Sequence, residues 1–196
     1  MTTALGTFPV QLSADDATTQ NRLTVFFRLI LIIPHAIVLG ILGIVASIIY
    51  LISWFAILFT GGYPAGLYRF MAGFLRWTAR INSYFYLLTD RYPPFSLSDD
   101  ENYPVRLLVD EQTENRNRLT TFWPIRWILA IPHLIIVGAL GYAAGVVVII
   151  AWFAALITGS VPAGLHNFLA GYLRWYFRTY AYVFLLTDDY PPFALN

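Results

Sequence analysis

LILIIPHAIVLGILGIVASIIYLISWFAILFT, residues 29–60, is the stretch on which the fold turns. No Asp, Glu, Lys or Arg occurs between residues 29 and 68. The stretch returns as WILAIPHLIIVGALGYAAGVVVIIAWFAALIT, residues 127–158, inside a second uncharged run over 127–173. Each run far exceeds the roughly 18 apolar residues that mark a membrane-spanning segment. A buried soluble core also reads apolar, but not for forty residues without a charge.

Working outward, the same repeat governs the flanks. Trp54-Phe55 recurs as Trp152-Phe153, Pro64-Ala65-Gly66-Leu67 as Pro162-Ala163-Gly164-Leu165, and Leu75-Arg76-Trp77 as Leu173-Arg174-Trp175. Leu87-Leu88-Thr89-Asp90 and Tyr92-Pro93-Pro94-Phe95 recur as Leu185-Leu186-Thr187-Asp188 and Tyr190-Pro191-Pro192-Phe193. A fixed period over so many positions is a tandem duplication. It gives a first repeat over 1–100, with membrane run 29–60 and an Arg-striped helix 64–82. The second repeat covers 101–196, with membrane run 127–158 and an Arg-striped helix 162–180.

Composition agrees: 58% of residues are hydrophobic and 12% charged, where soluble domains average about 25% charged. The N-terminus has no basic region, and Asp15 and Asp16 precede the first apolar run. No secretory signal is therefore expected, and the membrane segments act as their own. The absence of Cys excludes disulfides, thiolate metal sites and Cys nucleophiles. A net charge of +1 gives no reason to expect nucleic acid. All twelve basic residues are Arg. Residues 17–89 carry five Arg and no acid, as do residues 115–187, and the acids cluster in the connecting segments.

Each copy reads as five pieces. Alternation in Phe8–Leu12 and Tyr103–Val109 predicts short extended segments. Asn21-Arg22-Leu23-Thr24 and Asn117-Arg118-Leu119-Thr120 open a helix, with a two-residue slip that aligns Arg28 with Arg126. Pro124 is expected in an early turn of the second copy's helix, where proline is tolerated. The apolar runs follow, with Pro34-His35 and Pro132-His133 near their starts. Gly61 and Gly159 then end one helix, and Pro64 and Pro162 open the next. In that helix Arg69, Arg76 and Arg80 fall within about 40° of one another at 100° per residue. Asn167, Arg174 and Arg178 repeat the stripe. A broad apolar face with a narrow Arg stripe suits a helix in the headgroup region. Tyr84–Leu88 and Tyr182–Leu186 read as strands or a helix tail.

The two copies place Arg alike, which favours like-oriented halves with an even number of crossings each. Two routes give an even count. In one, each apolar run folds on itself near Gly40–Gly43 or Gly138–Gly145. In the other, residues 35–60 and 64–88 both span. The second buries Arg76 and Arg80 without a nearby acid, which is expensive. The expected fold is therefore a mainly α integral membrane protein. It is a tandem pseudo-two-fold repeat of a membrane helical hairpin plus an amphipathic interfacial helix, with short β segments at repeat ends.

The repeated series resembles a known family. Tyr103-Pro104-Val105-Arg106-Leu107, then Asn-Arg-Leu, Ile-Pro-His, Trp-Phe-Ala, Thr-Gly, Leu-Arg-Trp, Leu-Leu-Thr-Asp and Tyr-Pro-Pro-Phe resemble the bacterial membrane family called domain of unknown function 4389. The resemblance covers nearly the whole chain, once per copy. It implies a bacterial integral membrane protein with no assigned activity, so no catalytic residue carries over. The first copy departs at Phe8-Pro9-Val10-Gln11. The second has Asp189 for Arg91 and Asn167 for Arg69.

Lipid headgroups are the ligands expected from the residues. Arg22, Arg28, Arg69, Arg76, Arg80, Arg118, Arg126, Arg174 and Arg178 offer guanidinium groups that bind phosphate through paired bonds. Generic anchoring, with stems snorkelling along apolar surface, is the plainer reading of the same residues. His35 and His133, one per copy, are candidate metal ligands on the two-fold axis. Against this stands a plain helix-start role for both, and His166 has Tyr68 as its counterpart. Trp54, Trp77, Trp152 and Trp175 are expected at membrane interfaces. Asp90 and Asp188 are expected to cap backbone amides. No cofactor is expected. The functional expectation is a non-enzymatic structural or accessory subunit of a larger membrane complex in the bacterial inner membrane, its Arg-rich face cytoplasmic. Expected partners are anionic lipids and other membrane subunits or further copies of the chain. Alternatives are a lipid-binding, membrane-shaping module, or a small transporter or channel with its site on the pseudo-two-fold axis.

Overall fold

The structure, a computed structural model, describes residues 8–16, 19–122 and 124–196. Residues 1–7, the start of the first repeat as read from sequence, lie outside the described residues. The elements run β1 (Val10–Ala14), α1 (Arg22–Thr60), α2 (Ala65–Phe85), β2 (Val105–Val109), α3 (Arg118–Thr121), α4 (Ile125–Thr158) and α5 (Ala163–Val183).

Local chemistry sets the helix ends. The side chain of Asn21 accepts a bond from the Leu23 amide (2.9 Å) and caps α1. Gly61 and Gly159 close α1 and α4 in the left-handed region (φ 73° and 80°), each returning its amide to the last turn. Between these caps α1 is one uninterrupted helix of 39 residues and α4 one of 34. The expected hairpin within each apolar run is therefore corrected. Gly40, Gly43, Gly138 and Gly145 lie inside the helices, where an added Cβ would meet nothing within 4 Å among the described residues. Glycine permits a turn without compelling one. The flanking Ile, Leu and Val offer no side chain to satisfy a broken backbone. A second correction concerns Pro124. It stands before α4 rather than within it, and cuts the helix start off as the one-turn α3.

Contacts fix the directions. Arg28, early in α1, reaches the Tyr84 carbonyl at the end of α2, and His35 packs on Trp77. Arg126 reaches the Tyr182 carbonyl and His133 packs on Trp175 in the second copy. Each long helix thus lies antiparallel to the shorter one that follows it. Trp54 Nε1, late in α1, donates to the Thr121 carbonyl ahead of α4 (2.8 Å). Trp152 Nε1, late in α4, donates to the Val25 carbonyl early in α1 (2.9 Å). The long helices are therefore antiparallel to each other, and the two-fold axis relating the copies runs perpendicular to them.

The ribbon marks that axis. β1 pairs with β2 antiparallel, Val10 opposite Val109, Leu12 opposite Leu107 and Ala14 opposite Val105, so the centre of symmetry falls at Leu12 and Leu107. Val10, Leu12, Val105 and Leu107 point inward and are buried, while Ser13 points outward and is exposed. Among the described residues the ribbon packs on α2 and α5 and not on α1 or α4. Three layers result: the ribbon, then α2 with α5, then α1 with α4. The core lies in the middle layer around Met71, Leu75, Leu169, Leu173 and Phe177. Ala46, Ala144, Ala151 and Ala155 form part of the inner faces of the long helices, where small side chains let them close in.

The Arg-striped helices are thus not the outermost layer, as an interfacial helix would be. The tails after them explain why. A Cβ on Gly73 would come 2.7 Å from the Leu97 carbonyl oxygen, and one on Gly171 2.9 Å from that of Leu195. Glycine lets each tail lie directly on its helix.

Candidate functional site

The densest polar chemistry lies where α2 and α5 end. Leu87 and Leu185 take left-handed backbone (φ 61° and 65°) and close the last turns, the Leu88 and Leu186 amides returning to the Ser83 and Ala181 carbonyls. Buried arginines add bonds to the same turns. Arg28 Nη1 donates to the Tyr84 and Thr89 carbonyls, and its Nη2 donates to Gln20 Oε1 (2.8 Å) and Asp90 Oδ1 (3.1 Å). Arg126 Nη1 donates to the carbonyls of Tyr182 (2.6 Å) and Thr187 (2.9 Å), and its Nη2 pairs with Asp188. Each guanidinium also lies over a ring, Tyr84 or Tyr182. Cations at helix C-termini also complement the backbone dipole.

The two clamps differ in their further partners, Thr24 Oγ1 donating to Asp90 Oδ1 (2.5 Å) in the first alone. Arg116 joins the second, donating to Asp188 through Nε (3.0 Å) and Nη2 (2.9 Å), and to the carbonyls of Leu185, Leu186 and Gln112. Gln20 holds that place in the first, donating to the Leu87 carbonyl (3.4 Å). So Asp188 serves two guanidinium groups and Asp90 one. Each aspartate also accepts the backbone amide of a distant helix cap, Asn21 for Asp90 (3.1 Å) and Asn117 for Asp188 (2.8 Å). The expected Asp capping is present, but directed across the fold rather than into its own turn. Burial alone would raise the Asp188 carboxyl. The Asn117 amide, Arg116 and Arg126 outweigh it and hold the group below the usual carboxylate range.

The two histidines sit in separate aromatic cages. His35 is fully buried, stacked on Phe95 (3.9 Å between ring centres) and flanked by Tyr92 and Trp77. His133 is fully buried, stacked on Phe193 (4.0 Å) and flanked by Tyr190 and Trp175. Trp175 Nε1 donates to His133 Nδ1 (2.9 Å). Tyr92 and Tyr190 donate to the Leu31 and Leu129 carbonyls (3.1 Å each), pinning the tails to the long helices beside their prolines. The alternative two-fold pairing of His35 with His133 at a metal is not formed: each ring is enclosed by its own copy. Among the described residues no group of three His, Cys, Asp or Glu could hold a metal ion. His166 and Tyr68 are equivalent in place and task, facing the Leu88 and Leu186 carbonyls.

The nine arginines expected on headgroups divide three ways. Arg28 and Arg126 are buried in the clamps, their guanidinium groups bonded within the fold. Arg80 and Arg178 are also buried, Arg80 donating to the Ser98 carbonyl. Arg76 and Arg174 are half-buried, Arg174 Nε donating to the Leu12 carbonyl of the ribbon (3.1 Å). Arg22, Arg69 and Arg118 remain exposed. Arg22 touches the Ile157 carbonyl (2.9 Å), and Arg69 faces Glu111 at 3.6 Å. The four tryptophans expected at membrane interfaces are half-buried or buried; Trp54, Trp152 and Trp175 bond across elements, and Trp77 packs on His35 and Phe95. Arg116 and Gln20 escaped sequence reasoning. The signal available was the acid of Leu-Leu-Thr-Asp, isolated at the close of an acid-free, Arg-bearing stretch.

On the opposite face the long helices lie bare. Ile37, Ile44, Leu51 and Phe59 of α1, and Ile135, Val146, Ile149 and Ile157 of α4, are all exposed. Both helices are long and apolar enough to cross a membrane, and only 11% and 17% of their most apolar stretches are buried. Between them lie two apolar clefts in equivalent places, one against Trp152 (about 350 Å³) and one against Trp54 (about 290 Å³).

These features define a class: a mostly helical, internally duplicated protein with apolar helices outside and arginine clamps within. The chain belongs to the family described as Domain of unknown function (DUF4389), whose model matches it twice, over residues 22–96 and 120–194. No curated protein and no solved structure matches the chain.

Proposed function

We propose that this chain is a non-enzymatic bacterial membrane protein that acts as a structural or accessory module of a larger membrane assembly. The observation that carries the reading is the bare apolar layer of α1 and α4, whose most apolar stretches are 11% and 17% buried. A contiguous apolar surface of that size marks a membrane or protein partner. The interior chemistry supports a structural role. The buried guanidinium groups of Arg28, Arg116 and Arg126 are spent on helix ends and chain crossings within the molecule. Arg22 and Arg118, exposed at the starts of α1 and α3, are the residues best placed for anionic headgroups. The Arg-bearing ribbon side would face the cytoplasm.

Fractionation tests the reading. The chain is expected in the membrane pellet after an alkaline carbonate wash, and to leave it in mild detergent together with other membrane subunits. Recovery as a lone chain in the carbonate supernatant would overturn it. The bare apolar face together with the exposed end arginines also favours the lipid-binding, membrane-shaping reading. There, pure chain added to anionic vesicles deforms them without any other subunit.

A further inference from the structure

We infer that α1 and α4 lie flat in a single leaflet, with the two-fold axis along the membrane normal, rather than crossing the bilayer end to end. This rests on the membrane reading above and decides the orientation within it. Three observations converge. First, exposed apolar side chains run from Leu23 to Phe59, about 54 Å along α1 at 1.5 Å per residue. A hydrocarbon core is only about 30 Å thick. Even a 40° tilt, at the end of the observed range, leaves more than 40 Å along the normal.

Second, the ribbon sits at mid-length of the helices, not at an end. Arg174 of α5 bonds the ribbon at Leu12. Its neighbours Tyr172 and Trp175 face Gly141 and His133 of α4. In an upright molecule the ribbon, with its open strand edges, would lie at the bilayer centre. So would the outward-facing ion pair of Arg106 and Asp99 (2.6 Å). Open edges and exposed charges do not persist facing lipid.

Third, the layers are polarised across the helices rather than along them. Both ends of α1 and α4 carry exposed apolar residues, among them Leu23, Phe59, Ile128 and Ile157. The ribbon and its charges occupy the side away from α1 and α4. Laid flat, the apolar layer is about one helix thick, near 10 Å. That matches the depth to which an interfacial helix sinks. Every ribbon charge then faces water, and the antiparallel halves present the same face to one side.

Single cysteines test this, because the native chain has none. Thr19 pairs with Ser160 at one end of the long helices, and Glu114 lies at the other, beside Gly61. Ser13 lies on the ribbon. In oriented membrane vesicles holding the full chain, a membrane-impermeant maleimide is expected to label Thr19→Cys, Glu114→Cys and Ser13→Cys from the same side. Labelling of Thr19→Cys and Glu114→Cys from opposite sides overturns the inference and leaves the membrane reading standing. Bimane on Ile37→Cys, Ile44→Cys and Ile52→Cys is expected to be quenched by brominated lipid to the same extent within twofold. A steep depth gradient along these sites also overturns it. Chain that stays in the supernatant, with no lipid quenching at any site, overturns both.

Discussion

Replacing Asp188 by Asn separates the two arginine clamps and measures what holds the helix ends. Asp188 accepts from Arg116, Arg126 and the Asn117 amide, and the two guanidinium side chains are only 1% and 3% exposed. Removing one partner of a buried ion pair typically costs about 3–5 kcal/mol, because the orphaned charge stays desolvated. The carbonyls of Leu185, Leu186, Tyr182 and Thr187 remain as acceptors, which places the expected loss near the lower limit, about 3 kcal/mol. At Asp90 only one cation, Arg28, loses its carboxylate, and Gln20 Oε1 still accepts from it, while the Asn side chain still bonds the Asn21 amide and Thr24 Oγ1. Loss of that one ion-paired hydrogen bond is expected to cost about 1.5 kcal/mol. Reversible unfolding of purified protein in mild detergent should therefore rank Asp188→Asn below Asp90→Asn by about 1.5 kcal/mol, the difference between these two losses. Arg116→Gln, which copies Gln20 of the first clamp into the second, should shrink the cost of Asp188→Asn to that of Asp90→Asn. The carboxyl is held below its unfolded value, so its contribution is present above about pH 4 and lost as pH falls through the folded value. Asp188→Asn should flatten that acid limb. Equal losses for the two variants, or no change in the acid limb, would refute the reasoning.

Glycine tests follow from the close approaches. Gly73→Ala and Gly171→Ala force a Cβ to within 3 Å of a backbone oxygen and should each cost about 1–3 kcal/mol in the same unfolding assay. Gly40→Ala, in open space, should stabilise by about 0.5–1 kcal/mol. Trp175→Phe removes the bond to His133 and should cost about 1 kcal/mol more than the ring trim alone. Trp77→Phe, whose Nε1 has no partner among the described residues, should cost only the trim, and thermal melts of the two variants compare them. Arg22→Ala and Arg118→Ala should each weaken association with anionic vesicles about fivefold, near 1 kcal/mol, and leave neutral vesicles unaffected. Flotation at low and high salt measures both.

The duplication and the two long apolar helices were legible in the sequence because they rest on period and composition, which survive without coordinates. Phe8–Leu12 and Tyr103–Val109 announced strands by alternation, and Gly61 and Gly159 announced helix ends. Their pairing did not show, because partners nearly a hundred residues apart leave no local pattern. Gly40 and Gly43 misled, since glycine reports freedom rather than direction. The partners of the arginines stayed hidden for a related reason. Sequence gives the charge of Arg28 and the absence of nearby acids, whereas its partners Tyr84, Thr89 and Asp90 lie more than fifty residues on, and backbone carbonyls leave no trace in composition. The histidines show the same limit. Symmetry suggested a shared axis site, while the Tyr-Pro-Pro-Phe tails supplied each ring with its own aromatic enclosure.

The ribbon has a bearing on ancestry. One strand comes from each half, as does each of the crossing bonds from Trp54 and Trp152. A half-length polypeptide would own a strand without a mate and a tryptophan without its acceptor, so it would complete itself only by associating with an identical copy as a homodimer. Such a pair falls apart on dilution; tethering the halves makes folding unimolecular. Fusion also frees each side to drift alone, and the Gln20 and Arg116 exchange is a change that an obligate homodimer, bound to strict symmetry, could never have kept.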